Sequence, residues 1–226
     1  MSTDAAAADG LAEFRRRLDS RLRDALVESS ELGFLGTMPI DDQIDHALGF
    51  VAIVEDRLGR QPTGVLDLGT GGGVPGLVLL SCWADARIVL IDASERRTDF
   101  LSETIEGWPA TSRGEVIRGR AEELGRHEDL RERFEVVTSR SFGIPALAAE
   151  CGSAFLAPGG WMIVSEPPNT DPDVRWPADG LSILALETDR NSRVTGRFGY
   201  QLIGKVSELD DRYPRRVGVP AKRPLF

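Results

Sequence analysis

The spacing of hydrophobic residues changes along this chain, and the change divides it. Leu11, Phe14, Leu18, Leu22 and Leu26 recur every three to four positions with Arg and Asp between them, which predicts helix over 1–30. A second helical stretch, about 41–59, places Ile44, Ala47, Leu48, Val51, Ile53, Val54 and Leu58 on a broad apolar face. Asp41 or Asp42 is suited to cap it after Pro39. Gly59, Pro62 and Gly64 then interrupt the chain. Beyond them, short apolar runs alternate with helical stretches. GVLDLG, RIVLID, FEVVTSR and GGWMIVSEPP predict strands, whereas PGLVLLSCW, ERRTDFLSETIEGW and PALAAECGSAFL predict helices. EVIRGRAEEL predicts a strand leading into a loop. Strands apolar on both faces, alternating with helices, imply a parallel sheet wrapped by helices. LSILALE and GYQLIGKV predict two more strands, antiparallel at one edge, and PPNTDPDVRWPADG between them and the preceding strand reads as an acidic loop. The expected organisation is an N-terminal helical extension over 1–60 and an α/β domain over 61–226.

Composition narrows the classes. A chain of 226 residues can bury a sizeable core without staples. Its two cysteines, Cys82 and Cys151, exclude a disulfide framework and a four-cysteine zinc site. With His46 and His127 as the two histidines, no metal site is expected. No apolar run reaches the roughly 18 residues of a membrane span, so no membrane association is expected. The start, MSTDAAAADGLAEF, has acids where a signal peptide needs positive charge, so a cytoplasmic location is expected. Net charge is -9, against a surface built as one broad nucleic-acid footprint. The last fifteen residues, RYPRRVGVPAKRPLF, nevertheless hold Arg212, Arg215, Arg216, Lys222 and Arg223 and no acid. They are either a solvated tail or a local grip on an anion.

Candidate chemistry centres on VLDLGTGGGVPG, Val65 to Gly76. A strand ends at Leu68, and Gly69, Gly71, Gly73 and Gly76 follow before an apolar helix. Glycines let the backbone turn tightly and approach a ligand, and the new helix offers unpaired N–H groups to it. Pro75 suits the first helical position. Asp67, two residues before the first glycine, would repel a pyrophosphate but suits the ammonium-bearing end of S-adenosylmethionine. Asp92 ends the next strand, where a carboxylate can accept both ribose hydroxyls. The competing readings are a nucleotide oxidoreductase, or a glycine turn and helix cap with no ligand. Arg120 and Arg140 follow the third and fourth strands, at the rim where open α/β sheets bind ligands, although either could be an ordinary surface arginine. Ala121 and Glu122 stand where an adenine would be held. No nucleophile–base pair is evident. His46 reads as structural, His127 as a surface residue, and both cysteines as buried thiols. Methyl transfer to a neutral ring nitrogen needs positioning more than proton removal.

Taken together, the motifs resemble the RsmG/GidB family, bacterial methyltransferases acting on guanine N7 of 16S ribosomal RNA. GFLGTMPIDDQIDHALGF with His46, DLGTGGGVPG with its Pro-Gly ending, TSRSFG, and the basic end RYPRRVGVPAKRPLF carry the likeness, which spans about residues 30–226. The resemblance implies a class I S-adenosylmethionine-dependent methyltransferase, a Rossmann-like doubly wound sheet of seven strands. It puts cofactor contacts at Gly69, Val74, Ala121, Glu122 and Arg140, beside Asp67, Gly71, Gly73 and Asp92 from the motif itself. Arg120 and Arg140 match arginines associated with activity and would bracket the target base or its phosphate. Arg96 stands where the family has a basic residue. Tyr213, Arg215 and Arg216 match its tail, so that Arg96, Arg212, Arg215, Arg216 and Arg223 are the expected RNA contacts. The implied partner is 16S ribosomal RNA or a small-subunit precursor. One departure stands out. After WMIVS the family has a Lys-Gly pair, and this chain has Glu166-Pro167-Pro168. An anion at that rim would favour a small-molecule or peptide acceptor, and a cofactor-binding regulatory module without activity is a third possibility.

Overall fold

The computed structural model describes residues 12–108, 113–168, 170–189, 194–195 and 197–226. The first eleven residues of the predicted N-terminal helix therefore lie outside the described residues. Its remainder is not one helix. A short helical turn ends at residue 15, and helix α1 (Leu22–Glu31) starts after a break in which the Asp19 carboxylate accepts from the backbone N–H of Arg21 at 2.8 Å. That local bond competes with continued helix. Helix α2 (Ile40–Leu58) begins at Pro39, not at Asp41 or Asp42. Those acids occupy its first turn, next to the positive end of the helix dipole. Gly59, at φ 66°, ends it in the left-handed conformation.

Five strands run parallel: β1 (Gly64–Leu68), β2 (Arg87–Asp92), β3 (Gly114–Arg118), β4 (Phe134–Ser139) and β5 (Leu156–Glu166). Helices α3 (Gly76–Cys82), α4 (Glu95–Glu106), the single turn α5 (Ala121–Leu124) and α6 (Pro145–Phe155) connect them. The stretch after β3, expected as loop, is thus one helical turn. The acidic segment expected as loop also contains short helices, α7 (Pro172–Arg175) and α8 (Ala178–Ser182). Pro172 and Pro177, at or beside their first turns, have the backbone angle that a helix start needs. LSILALE is mostly not strand. Leu181 and Ser182 belong to α8, and only Leu186–Thr188 forms β6.

Strand β7 (Val194–Thr195) is two residues long, and β8 (Gly199–Lys205) is antiparallel to β5, β6 and β7. The sheet order is β3-β2-β1-β4-β5-β8-β6, with β7 paired to β8 beside this path. Successive strand residues face opposite sides, and two cores result. Val65, Ile88, Leu90, Val136 and Ile163 meet α1 to α4 on one face. Leu66, Leu68, Val89, Ile91, Val137 and Met162 meet α6 and the segments around α8 on the other. Ala47, Leu48, Phe50, Val51 and Val54 of α2 belong to the first core, so this helix is packed on the sheet itself.

Candidate active site

The direction of winding reverses between β1 and β4, and ligands bind at the carboxyl ends of strands at such a point. A cavity of about 410 Å³ opens there. Gly69 after β1, Ile91 and Asp92 of β2, Gly119 and Arg120 after β3, and Ser141 and Phe142 after β4 all line it. Ala93, Ser94, Arg97, Ala121 and Glu122 complete the wall.

Asp92 is 9% exposed and held from three directions. Its Oδ1 accepts from the Ser94 N–H at 2.8 Å and its Oδ2 from the Gly71 N–H at 3.0 Å, with Arg97 Nη1 at 3.6 Å from Oδ2. Asp67 is 1% exposed and does not line the cavity. Its Oδ2 accepts from the Gly76 N–H at 3.0 Å and its Oδ1 from the Thr138 hydroxyl at 2.8 Å. It clamps the glycine loop from beneath. Burial raises its pKa to about 6, against the opposing pull of these hydrogen bonds and of the Arg140 charge.

Two glycines are dictated by space. At Gly69, with φ 67°, a Cβ would stand 2.4 Å from the Phe142 ring, and at Gly76 it would stand 2.5 Å from Leu90 and 2.8 Å from the Asp67 carboxylate. The expected open helix N-terminus is absent here. Pro75 is the cap residue, the first helical N–H belongs to Gly76, and Asp67 occupies it. Gly71 reaches the site through its N–H to Asp92. Gly73 packs against Leu77, and Val74 is buried in the first core.

Arg140 lies just past β4 but reaches toward α2. Its Nη2 donates to Gln43 Oε1 at 3.0 Å, and its Nη1 is buried with no partner among the described residues. Gln43 is itself fully buried and donates to the Met38 carbonyl at 3.0 Å. Burial lowers the pKa of Arg140, while the Asp67 charge acts in the opposite direction. Nearby, His46 is stacked on Phe198 with ring centroids 4.5 Å apart, and its Nε2 is 2.9 Å from the Ser165 hydroxyl. Burial, helped by the Arg140 charge, lowers its pKa to about 4, so the ring is neutral near pH 7. Sequence reasoning missed Gln43, Ser94 and Arg97. Arg97 carried a signal in its position on the first turn of the helix after Asp92.

Residues 42–166 match the family model described as GidB, rRNA small subunit methyltransferase G. The chain belongs to the GidB family. Ribosomal RNA small subunit methyltransferase G of Pelotomaculum thermopropionicum is 34% identical over 168 residues, which are 72% of this chain and 70% of the relative. The enzyme of that name from Moorella thermoacetica is 35% identical, over 71% of this chain and 69% of the relative. Among solved structures, cofactor-bound Rv0187 from MTB aligns with a TM-score of 0.56 at 15% identity, covering 83% of this chain and 90% of that one. This last likeness concerns the fold alone, which a putative S-adenosyl-L-methionine-dependent methyltransferase from Methanococcus maripaludis shares with a TM-score of 0.52 at 15% identity, covering 73% of this chain and 85% of that one.

In this GidB chain a second cavity, of about 340 Å³, adjoins the first and shares Ser141 and Phe142 with it. Ser139, Val164, Ser165, Glu166, Arg175 and Trp176 line its far side. Glu166, the last residue of β5, is not the free anion that its place in the sequence suggested. Its Oε2 accepts from Arg175 Nε at 2.5 Å and its Oε1 from Arg175 Nη2 at 3.2 Å.

The basic end is divided in its commitments. Arg215 is ion-paired with Glu150 of α6, Nη2 to Oε2 at 2.6 Å, and Arg212 with Asp210 at 3.1 Å. Arg216, Lys222 and Arg223 are exposed. Arg96 is exposed too, with its guanidinium 5.4 Å from the Phe34 ring. The tail also touches the first cavity, since the Gly218 N–H donates to Glu122 Oε1 at 3.0 Å.

Among the described residues there is no cluster of metal-ligating side chains, and no helix is long and apolar enough to cross a membrane.

Proposed function

We propose that this chain transfers a methyl group from S-adenosylmethionine to a guanine N7 of 16S ribosomal RNA, in the cytoplasm. The observation that carries the reading is the cavity at the winding reversal, with Asp92 fixed in its wall, in a chain of the GidB family. The residues present fit the cofactor. The Asp92 carboxylate spends one lone pair on each oxygen and keeps others for hydroxyl donors. The bare backbone at Gly69 lets the Phe142 ring pack against this wall of the cavity, where a Cβ would meet it at 2.4 Å.

Bound there, S-adenosylmethionine supplies a methyl group on a sulfonium, a strong electrophile. Asp92 accepts from the ribose hydroxyls, and Ala121 and Glu122 flank the adenine. Arg120 lines the first cavity and brackets the incoming nucleotide with Arg140, whose buried Nη1 must turn outward to reach it. Guanine N7 carries a lone pair and no proton, so no general base is required. The work left to the protein is alignment of nucleophile and methyl group. The pairing of Glu166 with Arg175 supports an RNA acceptor over a small molecule, because the departure at the end of β5 adds no net charge at the rim.

The test is incubation of the protein and labelled S-adenosylmethionine with 30S subunits, or their RNA, from a strain lacking the gene. Label should enter 16S RNA and disappear on ribonuclease treatment. Arg140→Ala should reduce transfer at least about tenfold, equivalent to about 1.4 kcal/mol in the barrier, in a folded protein. Label in a ribonuclease-resistant product would overturn the RNA reading, and an unimpaired Arg140→Ala would remove Arg140 from the site.

A further inference from the structure

The second cavity lies where an acceptor must lie if the first holds the cofactor, an argument that rests on the reading above. Its volume, about 340 Å³, is near the lower end of the roughly 300–1,000 Å³ of ligand pockets. Its polar wall is built from groups that the methyl transfer itself does not use. The Glu166 side chain is 3% exposed, and Arg175 grips both of its oxygens. Ser139 Oγ and Trp176 Nε1, on residues of the same wall, are buried with no partner among the described residues. Buried polar atoms in native proteins nearly always have partners, so these two are suited to a polar ligand. Phe142, shared by both cavities, offers an aromatic ring between them.

We infer that this cavity is the subsite for the acceptor base, and that Glu166, oriented by Arg175, selects guanine. The chemistry is specific. Guanine presents two neighbouring donors, N1–H and the exocyclic N2–H₂, to which the two oxygens of a carboxylate are complementary. Adenine presents an acceptor at N1, which a carboxylate repels. Uracil offers one donor between two carbonyls. Reading the base through N1 and N2 leaves N7 free to face the first cavity, and the Trp176 N–H and Ser139 hydroxyl are available to the O6 acceptor. Enzymes that modify a base take it out of the stack and read its Watson–Crick edge in this way. Arg175 is a positioning residue, since it acts through Glu166.

The experiment measures nucleotide binding to the full chain by ligand-observed NMR, with S-adenosylhomocysteine saturating the first cavity. Guanosine, inosine and adenosine 5′-monophosphates are the probes. Guanosine monophosphate should bind at least about fivefold more tightly than adenosine monophosphate, as a two-bond base contact discriminates by that much or more. Inosine monophosphate, lacking the N2 amine, should fall between. Glu166→Gln, which replaces one acceptor by a donor, should bring the guanine-to-adenine ratio close to one while S-adenosylhomocysteine binding persists. Equal affinities in the wild type, no saturable binding of either nucleotide, or an undiminished preference in Glu166→Gln would each overturn the inference. The wild-type comparison decides even where the variant fails to fold. Absence of S-adenosylhomocysteine binding would overturn the cofactor reading and this inference together, whereas absence of base preference alone overturns only the inference.

Discussion

Two buried groups near the site titrate in opposite senses, and their opposition sets a pH dependence. Asp67 has its pKa raised from 3.8 to about 6 by burial, so the folded state holds that proton more tightly than the unfolded chain. Its contribution to stability is full below about 3.8 and is lost as pH rises through 6. His46 has its pKa lowered from 6.5 to about 4, so its contribution is full above 6.5 and is lost as pH falls toward 4. Between about 4 and 6 the two slopes offset each other. Asp67→Asn removes one slope, and the variant should lose stability on acidification from pH 6.5 to 4 more steeply than the wild type does. Urea melts across that range check this, and superimposable pH profiles would show that Asp67 does not titrate there. At this scale the sequence was informative about the carboxylates, because Asp67 and Asp92 sit at strand ends on either side of a glycine run. It was silent about Gln43 and the Glu166–Arg175 pair. Gln43 meets Arg140 from 97 residues away, and a glutamate's partner across a turn leaves no periodic trace.

At the scale of elements, the parallel strands were legible because each is a short run of Val, Ile and Leu bounded by glycine, proline or a charge. The segments 121–124 and 172–182 were not. A helix of four or five residues is too short to display a 3.6-residue period, and proline marks both turns and helix starts. The basic end was ambiguous for a related reason: residue type alone does not separate an arginine that faces solvent from one that secures its own segment. Arg215 secures its segment. Glu150 has no exposed side-chain surface, and both of its oxygens are bound to Arg215. Leaving such a carboxylate unpaired costs about 3–5 kcal/mol, and the partial exposure of Arg215 places Arg215→Ala near the lower end, about 3 kcal/mol. Arg216→Ala, on an exposed neighbour, should change stability by less than about 0.5 kcal/mol. Chemical denaturation of the two variants distinguishes them, and equal losses would mean that the Glu150 pair does not anchor the tail.

The whole molecule carries a net charge of -9, so a polyanion must be held by local cations against the general field. With Arg215 and Arg212 committed to acids, the exposed group is Arg216, Lys222 and Arg223. Each phosphate contact contributes roughly 0.7–0.9 to the slope of log affinity against log salt. Replacing these three residues by Ala should flatten that slope by about two units and weaken RNA binding almost equally for all sequences. A filter-binding series over salt concentration would show this, and an unchanged slope would place the RNA on another face.

The position of β8 bears on how the chain is made. This strand comes late in the sequence yet lies inside the sheet, between β5 and β6, and it contributes Tyr200 and Leu202 to one core and Ile203 to the other. During synthesis β5 leaves the ribosome first with one ladder edge unpaired, and β6 follows with no neighbour to join. Both wait until Gly199–Lys205 emerges. A nascent chain arrested before this segment should therefore expose an open strand edge, the kind of surface that recruits chaperones or pairs with other chains.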